Sequence, residues 1–275
     1  MATILDELAE YARERVAIAK KRVPLAEIKQ TAMALAAAQE QAQSERSWNE
    51  HGDLPFAAAL RRPSVSFICE CKKASPSKGL IAPDFPYLKI AQEYEAAGAD
   101  AISVLTEPKW FLGSDQYLEL IASTVRIPCL RKDFTVDEYQ IYEAKCLGAS
   151  AVLLICSLLH TEDIKYYLQV CERLHLDALV EAHDEDEIAQ ALEAGAKIIG
   201  VNNRNLKDFS VNTENSRKLR ALVPASCLFV AESGVSTAED VAALKSIGVD
   251  AVLVGESLMR ASDKKAKLAE LKSLL

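Results

Sequence analysis

The sequence has no run that approaches the ~18 consecutive apolar residues of a membrane helix. It also has no excess of basic residues, since 32 lysines and arginines stand against 40 aspartates and glutamates, for a formal net charge of −8. An acidic protein of this kind is a poor match for nucleic acid or an anionic membrane as main partner. A local basic pocket for a small anion is still compatible with this charge.

Metal-ligand patterns are missing as well. The chain has 7 cysteines, an odd number, with no CxxC motif and only 4 histidines, whereas a zinc site needs these residues clustered at ligand spacing. We therefore predict no metal and reduced, mostly buried thiols. Residues 1–22 carry acids throughout and lack a long apolar core, so we expect no secretory signal or transit peptide and a cytoplasmic protein.

What the sequence does contain is a repeated joint between a helix and a strand. Four copies read AAGADAISVL, CLGASAVLLI, EAGAKIIGVN and SIGVDAVLVG. In each copy we expect a helix to end on a glycine, because glycine adopts the left-handed cap without steric cost, and a buried strand to follow. The glycines are Gly98, Gly148, Gly195 and Gly248.

Apolar runs of strand length predict eight strands after residue 64, most of them separated by helical patterns such as 136–147, 161–174, 184–194 and 236–247. Strands that alternate with helices form a parallel sheet, so the predicted fold class is α/β, a (β/α)8 TIM barrel. A doubly wound sheet is the alternative, but no GxGxxG follows the first strand. The predicted strands are 65–71, 101–105, 127–132, 151–156, 177–182, 197–202, 227–232 and 250–255.

Residues 1–60 stand outside this repeat. Helical spacing covers residues 3–22, Pro24 opens a second helical stretch, SERSWNEHGD is typical of a loop, and LPFAAALRR is typical of a short helix. This segment is too small to bury a core of its own. We interpret it as an N-terminal helical extension or cap, and residues 1–275 as a single barrel domain.

Side-chain alternation along the strands predicts where the active site lies. In VSFICECK the alternate residues Val65, Phe67, Cys69 and Cys71 are apolar enough to face the helices, which turns Glu70 and Lys72 inward. The same reasoning gathers inward polar residues at the carboxyl end of the other strands, where such barrels keep their active sites. The resulting set is Glu70, Lys72, Lys132, Glu181, Asn202 and Glu232.

A single charge at a strand end is usually a solvated rim residue, but six polar residues from five strands require partners. Such a set suits acid–base chemistry, because the groups shift one another's pKa. Glycine turns in AESGVS and VGES, after the last two strands, predict a phosphate site built from backbone N–H groups and a short helix N-terminus.

These motifs closely resemble those of the indole-3-glycerol phosphate synthase family of tryptophan biosynthesis, and ILDELAEYARERV resembles the family's additional N-terminal helices. The resemblance implies a barrel enzyme that converts 1-(2-carboxyphenylamino)-1-deoxyribulose 5-phosphate to indole-3-glycerol phosphate, with loss of CO₂ and water and without cofactor or metal. The segments that carry it are CECKKASPSKG (69–79), LTEPKWFLGS (105–114), LRKDF (130–134), LVEAH (179–183), GVNNRNL (200–206), AESGV (231–235) and VGESLMR (254–260).

The resemblance also implies catalytic roles. Lys132 would be the general acid on the ketone oxygen. On physical grounds we also predict that apolar walls and the second lysine lower its pKa toward neutral pH, where the enzyme works. Lys72 would hold the substrate carboxylate and share the acid work of dehydration, and Glu181 would act as base or stabilise an iminium. The lysines and the substrate hydroxyls would be oriented by Glu70 and Glu232, with help from Asn202.

Further positions match the substrate-binding residues of the family. Arg204 matches a polar residue near the mouth, and the side chain of Glu256 has to turn away from the phosphate. Residues that match the aromatic-ring site are Phe111, Phe134 and Leu206. Residues that match the phosphate loops are Ser75, Ser233, Gly234, Gly255 and Glu256, the last three through backbone N–H groups.

Two alternatives stay open at this stage. A barrel similar to phosphoribosylanthranilate isomerase would need an inward cysteine and a distant aspartate, whereas Glu70 and Lys72 are the inward pair here. A non-catalytic phosphosugar-binding protein would show a gap in the acid–base set and would bind ligand without turnover. The expected partner is a small phosphorylated substrate, with no nucleic acid, no membrane and a monomeric state.

Overall fold

A computed structural model of the chain describes residues 3–44, 52–205 and 209–275. In these ranges eight parallel strands close into a barrel, in which sequence neighbours pair and the last strand pairs with the first. The predicted (β/α)8 barrel is confirmed, and the strand boundaries agree with the predicted ones within two residues. The barrel strands are β1 (Ser66–Cys71), β2 (Ala101–Leu105), β3 (Cys129–Lys132), β4 (Ala151–Ile155), β5 (Asp177–Ala182), β6 (Ile198–Asn202), β7 (Leu228–Glu232) and β8 (Ala251–Val254).

Three helices precede the barrel: α1 (Ile4–Arg22), α2 (Leu25–Ser44) and α3 (Pro55–Leu60). The confirmed N-terminal extension touches both ends of the barrel. α3 closes the floor, at the amino ends of the strands, where the Ala57 backbone N–H donates to Asp177 Oδ2 at 2.9 Å. Most of the predicted loop SERSWNEHGD (44–53) lies outside the described residues.

α1 crosses the opposite end of the barrel. Leu8 and Ala12 pack against the apolar barrel interior. Arg15 makes a two-pronged ion pair with the buried Asp133, with Nη–Oδ distances of 3.0 and 2.6 Å. Asp133 directly follows Lys132, so this contact ties α1 to the carboxyl end of β3.

The remaining helices surround the barrel after the strands, and α2 packs on α6. The four predicted glycine caps have φ angles from 79° to 90°, in the left-handed region. No helix of the described ranges is long and apolar enough to cross a membrane. The outer helices are α4 (Tyr87–Ala96), α5 (Asp115–Thr124), α6 (Glu138–Cys146), α7 (Thr161–Arg173), α8 (Glu185–Ala194), α9 (Glu214–Arg220), α10 (Ala238–Ser246), α11 (Glu256–Arg260) and α12 (Lys264–Lys272).

Two apolar layers confirm the predicted direction of the β1 side chains. Ile68 belongs to the cluster inside the barrel, with residues such as Leu130 and Leu179. Phe67, Cys69 and Cys71 belong to the cluster between strands and helices. Glu70 therefore points inward, and no inward cysteine of the isomerase type is present on β1.

Candidate active site

The carboxyl ends of the strands surround a cavity of about 610 Å³. Ile4 and Leu8 of α1 contribute to its wall. Every predicted site residue lines this cavity except Leu206, which lies outside the described residues. The fourteen predicted residues among those that line it are Glu70, Lys72, Ser75, Phe111, Lys132, Phe134, Glu181, Asn202, Arg204, Glu232, Ser233, Gly234, Gly255 and Glu256.

Lys132 lies at the centre of a buried charge cluster. Its Nζ is 2.7 Å from Glu181 Oε2 and 3.0 Å from Glu232 Oε2. Asn202 Nδ2 donates to the other oxygen of Glu181 at 3.2 Å. Because these residues come from β3, β5, β6 and β7, closure of the barrel is what brings them together.

The prediction that the pKa of Lys132 falls toward neutral pH is wrong. Burial lowers this pKa, but the charges of Glu181 and Glu232 outweigh burial and raise it above the ordinary value. Glu181 and Glu232 share the single ammonium group of Lys132. Burial of Glu232 and the negative charge of Glu181 therefore raise the pKa of Glu232 to about 7. The pKa of Glu181 moves down, because Lys132 and His183 together outweigh its burial.

A second ion pair lies at the end of β1. Lys72 Nζ is 2.5 Å from Glu70 Oε1, and both side chains are largely buried. Gly255, just after β8, packs against this pair: a Cβ at that position would overlap Glu70 Oε1 and come within 3.0 Å of Lys72 Nζ. The glycine is therefore required for the pair to reach the cavity.

Aromatic residues form an apolar wall of the cavity. The Phe111 and Phe134 ring centroids are 6.1 Å apart at an interplanar angle of 42°. The loop that carries Phe111 is held by the fully buried carboxylate of Glu107, which accepts backbone N–H groups of Lys109, Trp110 and Phe111 at 2.7–2.9 Å. The Glu107 carboxylate thus helps to fix the position of Phe111.

The predicted phosphate loops lie together at another part of the rim. Ser233 and Gly234 both have positive φ, 66° and 86°. The Glu256 carboxylate is 3.1 Å from Arg260 Nε and 3.8 Å from Lys78 Nζ. Lys78 and Arg260 also line the cavity and supply positive charge at this rim.

Several residues of the site were absent from the sequence prediction. Lys78 lies within the recognised 69–79 motif, so its charge was visible. His183 continues the inward alternation of β5 two residues after Glu181, and this signal was available too. Glu107 and Asp133 also lie within recognised motifs, 105–114 and 130–134, but their roles depend on loop geometry that the sequence does not show. No cluster of three or more metal-ligating side chains is present in the described ranges.

Solved structures similar to this chain establish the fold independently. The 3-hexulose-6-phosphate synthase from Salmonella typhimurium aligns with a TM-score of 0.64 over 77% of this chain and 98% of that chain, at 14% identity. The thiamine phosphate pyrophosphorylase from Pyrococcus furiosus aligns with a TM-score of 0.58 over 76% and 95%, at 18% identity. At such low identity the similarity supports the barrel fold alone.

Sequence comparison is more specific. A family model described as indole-3-glycerol phosphate synthase matches residues 5–271. The protein of that name from Ruminiclostridium cellulolyticum is 53% identical over 269 residues, 98% of each chain. The one from Lachnoclostridium phytofermentans is 51% identical over 272 residues, 99% of this chain and 100% of its own. The chain belongs to the indole-3-glycerol phosphate synthase family.

Proposed function

We propose that the mouth cavity converts 1-(2-carboxyphenylamino)-1-deoxyribulose 5-phosphate to indole-3-glycerol phosphate, with Lys132 as the general acid. The observation that carries this assignment is the position of Lys132 between Glu181 and Glu232, in a cavity that also contains the Phe111–Phe134 wall. The cavity has room for a substrate of this size and offers acids, an aromatic surface and a phosphate rim.

Ring closure needs a proton on the ketone oxygen as the aromatic carbon attacks. Two carboxylates keep Lys132 protonated at neutral pH, so the acid is charged when the substrate arrives. A raised pKa still suits this step, because the alkoxide that develops on the ketone oxygen binds a proton more strongly than an amine. Glu181 then faces the positive charge that develops at the ring nitrogen.

Decarboxylation needs the carboxylate to be held while electrons flow to the iminium nitrogen. Lys72 is the candidate partner for that carboxylate, and Glu70 orients the ammonium of Lys72 from 2.5 Å. Glu70 and Glu232 also offer acceptors for the substrate hydroxyls, with Asn202 beside them. In dehydration Lys72 is the second proton donor.

The phosphate binds at the rim in this proposal, away from the reacting carbons. Lys78 and Arg260 balance its charge, and the Glu256 side chain lies against these two cations. The hydroxyls and backbone N–H groups for the phosphate come from Ser75, Ser233, Gly234, Gly255 and Glu256.

We further propose that residues 1–275 act as one domain, as a cytoplasmic monomer, without metal or cofactor.

The test is indole fluorescence after the purified protein is mixed with this substrate, with no metal or cofactor added. Lys132→Ala is expected to lose about 10²- to 10⁴-fold in kcat, the usual contribution of a general acid. Lys165→Ala, an exposed lysine on α7, is the matched control and should keep wild-type kcat. Substrate binding by folded wild-type protein without fluorescence would favour a phosphosugar-binding protein.

A further inference from the structure

A second cavity of about 440 Å³ lies beside the first and opens to solvent. Asn202 and Arg204 line both cavities and form part of the wall between them. Glu181 lines the first cavity and His183 lines the second, although only one residue separates them in the chain. The Glu181–His183 pair therefore connects the Lys132 cluster with a solvent space outside the mouth.

One ring nitrogen of His183 is hydrogen-bonded, whereas the other is buried without a hydrogen-bond partner among the described residues. Its Nδ1 is 3.0 Å from Glu187 Oε2, an oxygen that also accepts the His183 backbone N–H at 2.7 Å. Its Nε2 is 3.4 Å from Glu181 Oε1. This buried Nε2 has no hydrogen-bond partner in the described part of the chain, so it is directed at Glu181 without being engaged.

The charges around His183 favour a protonated ring. Burial lowers the pKa of His183, but the hydrogen bond to Glu187 and the charges of Glu181 and Glu232 raise it above the ordinary value. Asp184 lines the same second cavity and adds to the negative surroundings. The ring therefore holds a proton more readily than an ordinary histidine.

The reaction of the proposed function consumes one proton in each turnover. Ring closure puts a proton on the ketone oxygen, and dehydration puts a second on the hydroxyl that leaves as water. Aromatisation of the new ring returns one proton from the methylene carbon, and the ionised carboxylate leaves as neutral CO₂. One proton therefore has to enter the site from solvent before the next cycle.

We propose that His183 resupplies this proton to Lys132 through Glu181, from the second cavity; this inference rests on the proposed function. Protonated His183 gives its Nε2 proton to Glu181 Oε1, which can accept it because neutral Lys132 no longer lowers the pKa of Glu181. The carboxyl group then rotates, and Oε1 gives this proton to the neutral amine of Lys132, which Oε2 faces in the structure. The ring, 19% of whose side chain is exposed, then turns so that the vacated Nε2 reaches the second cavity, takes a proton from water there and returns to face Glu181. Substrate in the mouth covers Lys132, whose side chain is only 13% exposed, but leaves this route open.

The test compares two rates for His183→Gln, because the glutamine amide keeps polar contacts but cannot accept and release a proton as imidazole does. The first turnover is measured with enzyme in excess over substrate, and kcat is measured in the steady state in weak buffer. Because Lys132 begins protonated, the first turnover should stay within about twofold of wild type. By contrast, kcat should fall about 10²-fold, the lower end of the usual contribution of proton transfer. Added imidazole should restore kcat.

His160→Gln, at an exposed histidine before α7, is the control and should leave both rates unchanged. The proposal is overturned if the first-turnover rate and kcat of His183→Gln change by the same factor, or if added imidazole does not restore kcat. Equal loss of both rates would make His183 a residue that only positions Glu181. The same comparison on His183→Asn serves if the glutamine variant does not fold. Wild-type protein that forms no product would overturn the proposed function instead.

Discussion

The carboxylate of Glu232 occupies the space above the α-carbon of Gly200, where any other residue would place its side chain. A Cβ at position 200 would overlap Glu232 Oε1 and lie 3.1 Å from Leu179 Cδ1. Glu232 reaches Lys132 only because β6 has no side chain at that point. The absence of a side chain on one strand thus determines the position of a charge on the next.

Gly200→Ala is therefore expected to displace Glu232 from Lys132. We predict a loss of stability of roughly 1–3 kcal/mol from overpacking, and a fall in kcat of at least about tenfold. Urea unfolding and the indole assay measure the two effects. The double variant Gly200→Ala/Glu232→Ala removes the carboxylate that the new methyl group would overlap, so it should be as stable as Glu232→Ala alone, although it should remain inactive. If the stability losses of the two single variants simply add in the double variant, the overlap between position 200 and Glu232 is contradicted.

The Arg15–Asp133 pair is expected to hold α1 over the mouth. Arg15→Met leaves the Asp133 carboxylate buried with its main partner removed, and loss of one partner of a buried pair costs roughly 3–5 kcal/mol. Arg13→Met, two residues earlier, breaks an exposed pair with Glu10 and should change stability by less than about 0.5 kcal/mol. Equal urea midpoints for the two variants would show that α1 is not held by this pair.

Asp177 is expected to make stability depend on pH. Burial raises its pKa to about 6 in the folded state, above the ordinary value of 3.8. The free energy of unfolding is therefore highest below pH 4, where Asp177 is protonated in both the folded and the unfolded state, and it falls as pH rises through 6. At pH 8 the ionised carboxylate should cost roughly 2 kcal/mol, with allowance for partial exposure.

Asp177→Asn keeps an oxygen for the Ala57 N–H and cannot ionise. It should raise the urea midpoint at pH 8 and change it little at pH 4. The exposed Asp84→Asn is the control and should shift neither value. A gain of equal size at both pH values would mean that the titration of Asp177 is not the cause.

Glu107 is expected to control substrate binding through Phe111. Glu107→Gln replaces one of two acceptor oxygens with an NH₂ group that faces backbone donors, at a cost of roughly 2–3 kcal/mol. KM should rise severalfold as Phe111 moves from the aromatic wall, and the unfolding temperature should fall. Glu119→Gln, exposed on α5, should alter neither. A Glu107→Gln enzyme with wild-type KM would separate the loop from binding.

Much of this arrangement could be predicted from alternation and spacing. Barrel strands have a period of two, so Glu70 and Lys132 could be directed inward from local sequence alone. The raised pKa of Lys132 could not be predicted in this way, because its partners Glu181 and Glu232 lie 49 and 100 residues further along the chain. The hold of Glu107 on its loop depends on backbone conformation, including Leu112 at a φ of 51°, which composition does not reveal.

The two ends of the described chain differ in what they lie beside. Thr3 and Leu5 line the second cavity, whereas Lys272 of α12 donates to the Gly98 carbonyl near the floor, at 2.6 Å. A tether joined ahead of Thr3 would emerge next to the proposed proton entrance, and one joined after Leu275 would leave from the side near α12. Immobilisation through the carboxyl terminus should preserve turnover better than immobilisation through the amino terminus.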